Sequence, residues 1–420
     1  MSIEKKDNTS KVVTFGCRLN IYESELIKQH VQTAGLKDTI IVNTCAVTSE
    51  AERQSRQSIR KLKRENPGSK IFVTGCAAQI NPDTYAKMDE ISHVIGNDEK
   101  LKLETYSNPS SEKVMVNNIM SVKETAHQLI SGFENHARAF IQVQNGCNHR
   151  CTFCTIPYGR GNSRSVPIGE IVRQINTLLS KNIKEVVITG VDVTSYGLDL
   201  PGQPSFGQML KRVLALCPDL QRLRLSSIDP VEVDEDLWRL IEHEKRLMPH
   251  LHISLQAGDD MILKRMKRRH LRQDVIDFCA RARVLRPGIV FGADIIAGFP
   301  TETEEMFQNT ANLIKECNLT WLHVFPYSER ENTPAANMPQ VPHPIRKKRA
   351  QILRTLGQEN LTQFLTSQIS KEQTIIVEQN YTGRSEHFSE INLSSIKDKL
   401  NVGDLITVIP KNIEGNKLIL

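Results

Sequence analysis

Long apolar runs are absent from this sequence of 420 residues. No run approaches the roughly 20 apolar residues that a helix needs to cross a bilayer, and the polar amino terminus, MSIEKKDNTSK, lacks the apolar stretch of a secretory signal. Internal repeats and low-complexity segments are also absent. We therefore expect a soluble, cytoplasmic protein of two or three domains, without a membrane partner and with reduced cysteines.

Charge and cysteine content narrow the possibilities further. The net charge of +6 is too small to establish a nucleic-acid partner by itself. Nine cysteines, an odd number in such a chain, indicate metal ligands and buried apolar side chains rather than a disulfide framework. The positions of the basic residues and of the cysteines are therefore more informative than their totals.

Short apolar strands alternate with helices over most of the chain. KVVTF, TIIVN, KIFVTG and SHVIG are predicted strands of a parallel α/β sheet at the amino terminus, where Ser49 and Glu52 form a capping-box pair at a helix start. Six further strands predict an open or partial (βα)6 barrel: AFIQVQ, EVVITG, LRLSS, LHISL, IVFGADII and TWLHVF. After the predicted helix HPIRKKRAQILRTLGQENLTQFLTSQ, the short strands TIIVEQ, LITVIP and KLIL predict a small β-barrel. The predicted boundaries are a sheet domain at 1–105, a connector at 106–136, the barrel at 137–345, a helical linker at 346–370 and the β-barrel at 371–420.

Three cysteines stand close together in the stretch CNHRCTFC, at Cys147, Cys151 and Cys154. They follow the strand AFIQVQ, on the side of a barrel where such folds place their chemistry. A structural zinc ion generally takes four protein ligands, whereas three thiolates on a cubane of four irons leave one iron open to a small chelating molecule. The spacing therefore favours an iron-sulfur cluster over incomplete zinc binding or three unrelated buried cysteines.

A second set of three cysteines lies in the amino-terminal region, at Cys17, Cys45 and Cys76. Each follows a predicted strand, and the separations of 28 residues (45 minus 17) and 31 residues (76 minus 45) match one strand and one helix. Strand ends of a parallel sheet meet at the edge where ligands bind, so the three thiols should converge. One such cysteine is often only a buried apolar residue, but three in phase predict a second open cluster. The other cysteines share no spacing and are interpreted as core residues: Cys217, Cys279 and Cys317.

CNHRCTFC resembles the cluster loop of radical S-adenosylmethionine enzymes, in which an aromatic residue, here Phe153, precedes the last cysteine. The resemblance extends from about residue 11 to 418 and includes ITGVDVTSYG, RLRLSSIDP, PHLHISLQAGDD, GADIIAGFPTET and FPYSER. These blocks look like the methylthiotransferase branch, and TFGCRLN with NTCAVT is most similar to its bacterial MtaB type. Any one block is a weak signal, but their combination is specific.

The resemblance implies a transferase with two 4Fe-4S clusters and S-adenosylmethionine. The cluster on the CNHRCTFC cysteines would bind and reduce S-adenosylmethionine, yielding a radical that breaks strong carbon-hydrogen bonds. The amino-terminal cluster would hold sulfur, methylated by another S-adenosylmethionine, before a methylthio group is attached to carbon 2 of N6-threonylcarbamoyladenosine at tRNA position 37. An electron donor such as a flavodoxin or ferredoxin is also implied, and the sulfur donor is open.

The same resemblance places cofactor contacts in the barrel, beside Phe153. Thr189 and Gly190 are expected near the methionine amino group, where glycine permits close approach. Residues that end other strands are expected to contact the methionyl and ribose groups: Ser226, Gln256 and Asp294. The AGFP loop is expected to support adenine through Gly298, Phe299 and Pro300. Polar residues at strand ends also cap turns and helices, so each has a purely structural interpretation as well.

Three basic runs contain no acidic residue, at 53–64, 264–272 and 346–349. Such runs neutralise phosphates, although a single run is as often a solvated helix face. The residues predicted to bind RNA are Arg53, Arg56, Arg60, Lys264, Arg265, Lys267, Arg268 and Arg269. The closing segment resembles a TRAM domain, which is associated with RNA binding in this family. With only Tyr381 and Phe388 as aromatics, it should recognise the RNA backbone and shape rather than stacked bases.

Three functions remain open from the sequence. The leading one is methylthiolation of threonylcarbamoyl-modified adenosine in tRNA. A second keeps the chemistry but acts on isopentenyl-adenosine in tRNA or on an aspartate of a ribosomal protein. A third is a non-catalytic iron-sulfur protein that binds RNA and senses redox state, but the strand-end segments of an S-adenosylmethionine pocket argue against it. A monomer is expected.

Overall fold

The computed structural model describes residues 10–123 and 137–420. Two compact units comprise residues 10–123, 144–150 and 154–164 in the first, and residues 137–143, 151–153 and 165–420 in the second. The polar amino terminus, residues 1–9, and residues 124–136 of the predicted connector lie outside the described residues. Across the described ranges, no helix combines the length and the apolar character that crossing a membrane requires.

The first unit contains a parallel sheet of five strands in the order in which they follow along the chain. Its strands are β1 Lys11–Thr14, β2 Thr39–Thr44, β3 Lys70–Gly75, β4 His93–Ile95 and β5 Val114–Met115. Its helices are α1 Arg18–Thr33, α2 Ser49–Glu65, α3 Cys76–Ile80, α4 Pro82–Ala86 and α5 Glu104–Ser107, with 3₁₀ turns at Glu99–Leu101 and Ile119–Ser121. β5, at the sheet edge, falls in the segment predicted as a connector.

Both faces of this sheet are covered, which explains the apolar composition of its central strands. Ile40 and Val42 of β2 pack in one core with Ile59 of α2, and Ile41 packs on the other face with Ile27 of α1. All six residues of β2 are buried. Alternate residues of one strand therefore serve two different cores, as the predicted α/β architecture requires.

The predicted capping box at the start of α2 is wrong by one residue. Thr48 is the N-cap, and its hydroxyl accepts a hydrogen bond from the backbone N–H of Ala51 at 3.1 Å. Ser49 is the first helical residue and Glu52 is the fourth, whereas a capping box needs the glutamate at the third helical position. Threonine and serine are both good caps, so the sequence motif alone did not decide between them.

The second unit begins with a curved array of six parallel strands, which confirms the predicted partial barrel. β6, β9 and β10 form one ladder and β11, β12 and β13 another, joined by parallel bridges from Leu223 to Leu247 and from Ile228 to Ile253. The strands are β6 Arg138–Gln142, β7 Gln144–Asn145, β8 Arg164–Ser165, β9 Glu185–Thr189, β10 Arg222–Leu225, β11 His250–Gln256, β12 Val290–Ala297 and β13 Trp321–Pro326. Of these, β7 belongs to the first unit and β8 lies at the boundary.

Helices follow the barrel strands as a parallel sheet demands. They are α6 Ile156–Arg160, which belongs to the first unit, then α7 Ile168–Leu179, α8 Phe206–Leu216, α9 Glu235–His243, α10 Asp260–Arg265, α11 Arg272–Leu285 and α12 Glu304–Glu316. Short 3₁₀ turns lie at Val193–Ser195, Pro230–Glu232 and Pro334–Asn337. The long helix α13, His343–Gln368, coincides with the stretch predicted to be helical.

A six-stranded sheet ends the second unit and confirms the predicted small β domain. Its strands are β14 Gln373–Glu378, β15 Thr382–Ser385, β16 Glu390–Asn392, β17 Leu405–Val408, β18 Asn412–Glu414 and β19 Lys417–Ile419, with a 3₁₀ segment at Ser394–Lys399. They lie in the order β17-β14-β15-β16-β19-β18. Sequence reasoning missed β15, β16 and β18, because each has at most four residues and weak alternation.

Candidate iron-sulfur and cofactor sites

Three cysteines of the first unit follow adjacent parallel strands. Cys17 is the N-cap of α1, Cys45 comes directly after β2, and Cys76 comes directly after β3 and begins α3. Because β1, β2 and β3 are neighbours in the sheet, their carboxyl ends bring the three side chains to one edge. Cys45 and Cys76 are buried and Cys17 is exposed. The set is thus held by the core and reachable from its Cys17 side.

Two glycines allow the backbone to pass close to these thiols. Gly16 has a φ of 96°, and a Cβ placed on it would lie 2.8 Å from the Sγ of Cys45. Gly75 has a φ of 98°, and its Cβ would lie 2.3 Å from the carbonyl oxygen of Thr44. Neither conformation nor spacing suits an L side chain. The motifs TFGC and TGC therefore need their glycines for the same reason, close approach at the thiol edge.

The protonation of Cys45 shows what the site needs from a ligand. Burial raises the pKa of the Cys45 thiol to about 12; a backbone hydrogen bond at Val47 lowers the pKa, and the charges of Cys76 and Cys17 raise it again. A thiolate at this place is therefore unfavourable on its own. A bound cation stabilises coordinating thiolates, so a metal cluster at this edge would offset the effect of burial on Cys45.

A buried ion network in the same unit was not foreseen from the sequence. Arg160 donates to Glu23 Oε1 at 2.8 Å and to Asn20 Oδ1 at 2.6 Å, and Lys100 Nζ lies 2.7 Å from Glu23 Oε2. The three charged side chains are at most 2% exposed. Burial lowers the pKa of Arg160, but the charges of Cys76 and Glu23 outweigh burial and hold this pKa well above its usual value. Two cations share one carboxylate, so the network leaves positive charge beside the thiols.

Asn97 brings a hydrogen-bond donor to the same place. Its Nδ2 lies 3.8 Å from Cys76 Sγ and donates to the carbonyl oxygen of Gly159 at 2.5 Å. Asn97 is buried, and a Cβ on Gly159 would lie 3.3 Å from the Cβ of Cys76. Amide donors to cluster sulfurs tune reduction potential. No sequence pattern marks Asn97, because its partners are distant in the chain.

The cysteines of CNHRCTFC lie in the loop between β7 and α6. In the first unit, the N–H of Cys147 donates to Gly161 at 3.1 Å, and Arg150 donates to the carbonyl oxygen of Cys147 at 2.7 Å. Cys147, Cys151 and Cys154 are all partly exposed. Partial exposure suits ligands that must leave one iron accessible to a small molecule.

The middle of this loop is anchored to the second unit. Thr152 donates its N–H to Met266 at 3.1 Å and its hydroxyl to Arg265 at 2.8 Å. The ring of Phe153 packs edge-on against Phe299 with centroids 6.3 Å apart, in a cluster of buried apolar side chains. Phe153 thus fixes the loop that carries the cysteines, a structural role that is compatible with its predicted place beside the cofactor.

Unsatisfied polar groups mark the carboxyl ends of the barrel strands. Thr189 ends β9 and is followed by Gly190, Ser226 follows β10, and Gln256 ends β11 with a strained φ of 70°. Within the described residues, the Ser226 hydroxyl and the Oε1 of Gln142, which ends β6, are buried without a hydrogen-bond partner. Buried polar atoms normally have partners, so these groups fit a polar ligand such as S-adenosylmethionine. Gln142 was not nominated from the sequence.

The AGFP loop follows β12 and turns sharply. Gly298 has a φ of 72°, and a Cβ there would lie 2.7 Å from the side chain of Arg346. Its N–H donates to Glu302 at 2.9 Å, and burial raises the pKa of Glu302 to about 7 against the opposing charge of an arginine. Phe299 is fully buried and precedes Pro300. The loop is therefore held in a sharp turn by its glycine, by this hydrogen bond and by the buried ring of Phe299.

The predicted position of Asp294 at a strand end is wrong. β12 continues to Ala297, because the chain stays extended until Gly298 adopts a positive φ. Asp294 therefore lies inside the strand, with its Oδ1 at 3.1 Å from His252 Nε2 and 3.2 Å from His323 Nδ1. Burial raises the pKa of Asp294, but the two histidines outweigh burial and hold this pKa well below its usual value.

The basic run on α2 is exposed but not unpaired. Arg53 and Arg60 are exposed and Arg56 is partly exposed. Arg53 lies 2.6 Å from Glu50, and Arg56 and Arg60 each lie 3.9 Å from a carboxylate. Exposed pairs of this kind are weak and exchange readily, so these residues remain available to phosphate groups.

The second basic run divides between surface and interior. Lys264 and Lys267 are exposed. The three arginines of the run that were predicted to bind RNA have partners inside the second unit: Arg265, Arg268 and Arg269. Arg268 lies 2.9 Å from the buried carboxylate of Asp229 and 3.7 Å from Cys151 Sγ. The RNA contacts predicted for the arginines therefore compete with internal ion pairs.

The carboxy-terminal sheet is joined to the strand starts of the barrel by a buried ion cluster. Arg224 lies 2.7 Å from Glu185 and donates to the carbonyl oxygen of Ser385 at 2.6 Å. The ring of Phe388 stacks on His250 with centroids 5.1 Å apart. The guanidinium carbon of Arg224 lies 5.3 Å from the centroid of the same Phe388 ring. Of the two aromatics considered for RNA, only Tyr381 is exposed, at 52%.

The remaining cysteines are buried, which confirms their assignment to the core. Cys279 of α11 and Cys317, the C-cap of α12, form a side-chain hydrogen bond, and Cys217 caps α8. Sequence spacing did not reveal the Cys279 pair, because the two residues come from different helices. None of the three lies at a strand end.

Family profiles match both units. The radical SAM superfamily profile matches residues 141–314, and the profile of uncharacterized protein family UPF0004 matches residues 9–96. The first match spans the CNHRCTFC loop and four of the six barrel strands in full, β9 to β12. The second contains Cys17, Cys45 and Cys76.

Curated relatives match nearly end to end. The chain is 59% identical over 93% of both chains to the threonylcarbamoyladenosine tRNA methylthiotransferase MtaB of Rickettsia prowazekii. It is 37% identical, over 94% of this chain and 98% of the relative, to the protein of the same name from Aquifex aeolicus. A solved radical S-adenosylmethionine methyltransferase, TsrM of Kitasatospora setae, shares the fold with a TM-score of 0.57 and 15% identity over 78% of this chain and 76% of that chain. The chain therefore belongs to the MtaB-type radical S-adenosylmethionine methylthiotransferases.

Proposed function

We propose that this transferase attaches a methylthio group to carbon 2 of N6-threonylcarbamoyladenosine at position 37 of tRNA. The proposal uses a 4Fe-4S cluster on each set of three cysteines. The observation that carries it is the meeting of Cys17, Cys45 and Cys76 at one sheet edge in a chain that also contains CNHRCTFC. The relatives named for threonylcarbamoyladenosine support this acceptor over isopentenyl-adenosine or a protein aspartate.

Each set of thiols has a separate task in this proposal. When bound, the clusters supply the electron that cleaves S-adenosylmethionine and a place for the sulfur to be transferred. Cys147, Cys151 and Cys154 would hold the cluster that binds S-adenosylmethionine, and Cys17, Cys45 and Cys76 would hold the cluster that carries the sulfur. The protein's contribution is to position the reactants and to exclude water.

The contacts to S-adenosylmethionine are proposed at the carboxyl ends of the barrel strands. The unsatisfied hydroxyl of Ser226 and Oε1 of Gln142 are donors or acceptors for its polar groups. The strained backbone of Gln256 is the kind of conformation that persists where function requires it. The other proposed contacts are Phe153, Thr189, Gly190, Gly298, Phe299 and Pro300.

Contacts to tRNA are proposed on the exposed basic residues. Arg53, Arg56 and Arg60 share α2, which follows the Cys45 loop by a few residues, and Lys264 and Lys267 are exposed in the barrel unit. Phosphate contacts of this kind give salt-dependent affinity without sequence selectivity. The proposal also includes a cytoplasmic location and a flavodoxin or ferredoxin as the electron donor.

Iron counting after anaerobic purification tests the two-cluster proposal. We expect about eight irons per wild-type chain and about four when either cysteine set is replaced by alanine. A matched control replaces the three core cysteines, Cys217, Cys279 and Cys317, and should keep the wild-type iron content. Equal iron in wild type and in the Cys17, Cys45 and Cys76 variant would refute the second cluster.

Nucleoside analysis tests the acceptor. tRNA from cells that lack the gene should lose the methylthio form of threonylcarbamoyladenosine, and the wild-type gene should restore it. Loss of the methylthio form of isopentenyl-adenosine instead would reject the proposed acceptor while leaving the chemistry intact.

A further inference from the structure

Polar side chains line the inner face of the barrel below the strand ends. On β13, Leu322 contacts α13, since a Cβ on Gly357 of that helix would lie 2.9 Å from it. Side chains alternate along a strand, so His323 and Phe325 face the opposite way, into the barrel. His323 is 59% exposed at its side chain and Phe325 is 41% exposed. A helix covers the outer side, so this exposure is to the space inside the barrel.

Two histidines and one carboxylate form a cluster on this inner face. Asp294 of β12 contacts His252 of β11 and His323 of β13 through the same oxygen, Oδ1, at 3.1 and 3.2 Å. The two imidazole centroids are 4.8 Å apart. Gly292 leaves the space for this arrangement, because its Cβ would lie 2.4 Å from His252 Nδ1. Three adjacent strands thus place a built polar site in an otherwise open space.

We infer that His252, Asp294 and His323 form the subsite that recognises the threonylcarbamoyl group of the acceptor nucleoside. The inference rests on the function proposed above and adds how the modified base is distinguished from plain adenosine. A threonyl group carries a carboxylate and a hydroxyl, which no unmodified base has. His323 donates through Nδ1 to Asp294, so its Nε2 is left to accept a hydrogen bond from the threonyl hydroxyl.

Geometry assigns different tasks to the three residues. Asp294 is a positioning residue: one carboxylate oxygen lies within 3.2 Å of a nitrogen of each imidazole and so fixes where the two rings stand. Phe325 lies two residues further along β13 on the same face, where an exposed ring offers a stacking surface for the base. His252 is only 10% exposed, and its ring packs against the ring of His323.

Binding discrimination tests this subsite directly. Reconstituted holoenzyme is titrated anaerobically with two anticodon stem-loop RNAs that differ only in the threonylcarbamoyl group, with anisotropy as the readout. We expect wild type to prefer the modified RNA and His323→Ala to reduce that preference about tenfold, the effect of losing one hydrogen bond. Asp294→Asn should reduce it as well, with a higher KM and a smaller change in kcat.

Controls separate this inference from folding and from the proposed function. His243→Ala removes a histidine that is 73% exposed on α9 and should leave the preference unchanged. His323→Gln keeps a hydrogen-bond acceptor at similar size and should retain part of the preference. Wild-type preference in His323→Ala, with wild-type iron content and melting temperature, would overturn the subsite. Turnover of the modified RNA by wild type tests the proposed function separately.

A divalent cation is the competing occupant, since two histidines and one carboxylate can also bind a metal ion. Elemental analysis of wild type and Asp294→Ala decides between the two. A stoichiometric metal other than iron in wild type, absent from the variant, would overturn the inference in favour of a cation site. Equal metal content in both, together with lost discrimination in the variant, would support nucleoside recognition.

Discussion

Replacing Glu23 with glutamine should strongly destabilise the first unit. Glu23 is the one carboxylate between Arg160, at 2.8 Å, and Lys100, at 2.7 Å, and all three side chains are at most 2% exposed. Glutamine keeps the shape but leaves two buried cations without a counter-charge. Removing one partner of a buried ion pair costs about 3–5 kcal/mol. This is a large share of a free energy of unfolding of about 5–15 kcal/mol.

Hydrogen exchange measures this loss where it occurs. A loss of about 3 kcal/mol corresponds to an exchange rate more than about a hundredfold faster in the peptides of α1 and β3. Glu65→Gln on α2 is the control in the same unit: Glu65 pairs at 3.8 Å with Lys61, and both side chains are more than half exposed. An exposed helix pair of that kind contributes about 0.3–0.5 kcal/mol, so exchange should hardly change.

The pH dependence gives the prediction a sign. Burial raises the pKa of Glu23, but Arg160 and Lys100 outweigh burial and lower it from 4.5 in the folded state. A carboxyl group whose pKa is lower in the folded state than in the unfolded state stabilises the fold fully above its unfolded pKa. This stabilisation is lost as the pH falls through the folded pKa. The difference between wild type and Glu23→Gln should therefore be largest near neutral pH and narrow in acid. If both glutamine variants lie within 1 kcal/mol of wild type, the network is not a major source of stability.

Two further predictions concern the thiol edge and the barrel. Gly16→Ala should lower the bound iron by about one cluster, because its Cβ would lie 2.8 Å from Cys45 Sγ at a φ of 96°. Gly35→Ala is the control and should keep wild-type iron, since Gly35 has a φ of 62° and its Cβ would meet nothing within 4 Å. Equal iron in the two variants would contradict the steric argument. Burial raises the pKa of Asp229, but the neighbouring His270, Arg268 and Arg269 outweigh burial and lower this pKa from 3.8 to about 2. Asp229→Asn should therefore cost about 2 kcal/mol at pH 7, and urea titrations should show this difference shrinking as the pH falls from 4 to 2; a constant difference would argue against the ion pairs.

The elements that local pattern defines were predictable. Each barrel strand is a short apolar run between helices, and α13 coincides with its predicted range. The strands missed in the carboxy-terminal sheet have at most four residues and are held by neighbours that are distant in sequence. The helix cap at Thr48 was missed because two hydroxyl residues stand side by side and only the backbone conformation distinguishes them.

The candidate sites divide in the same way. Strand-to-cysteine spacing was enough to predict that Cys17, Cys45 and Cys76 follow three adjacent strands. The partners of Arg268 were not predictable: the sequence shows an acid-free basic run, whereas the fold brings in Asp229 at 2.9 Å from a loop 39 residues away. Charge runs in sequence therefore overstate the basic surface of this protein.

The sequence alone determined the alternation of strands and helices, the two sets of three thiols and the family, because each depends on residue types at short spacing. Only the tertiary structure decided which charges are buried together, that Asp294 holds two histidines inside the barrel, and that Phe388 packs against His250 rather than facing solvent. These contacts join strands and helices that are far apart in the chain, and burial fixes their energies. No local pattern encodes either quantity.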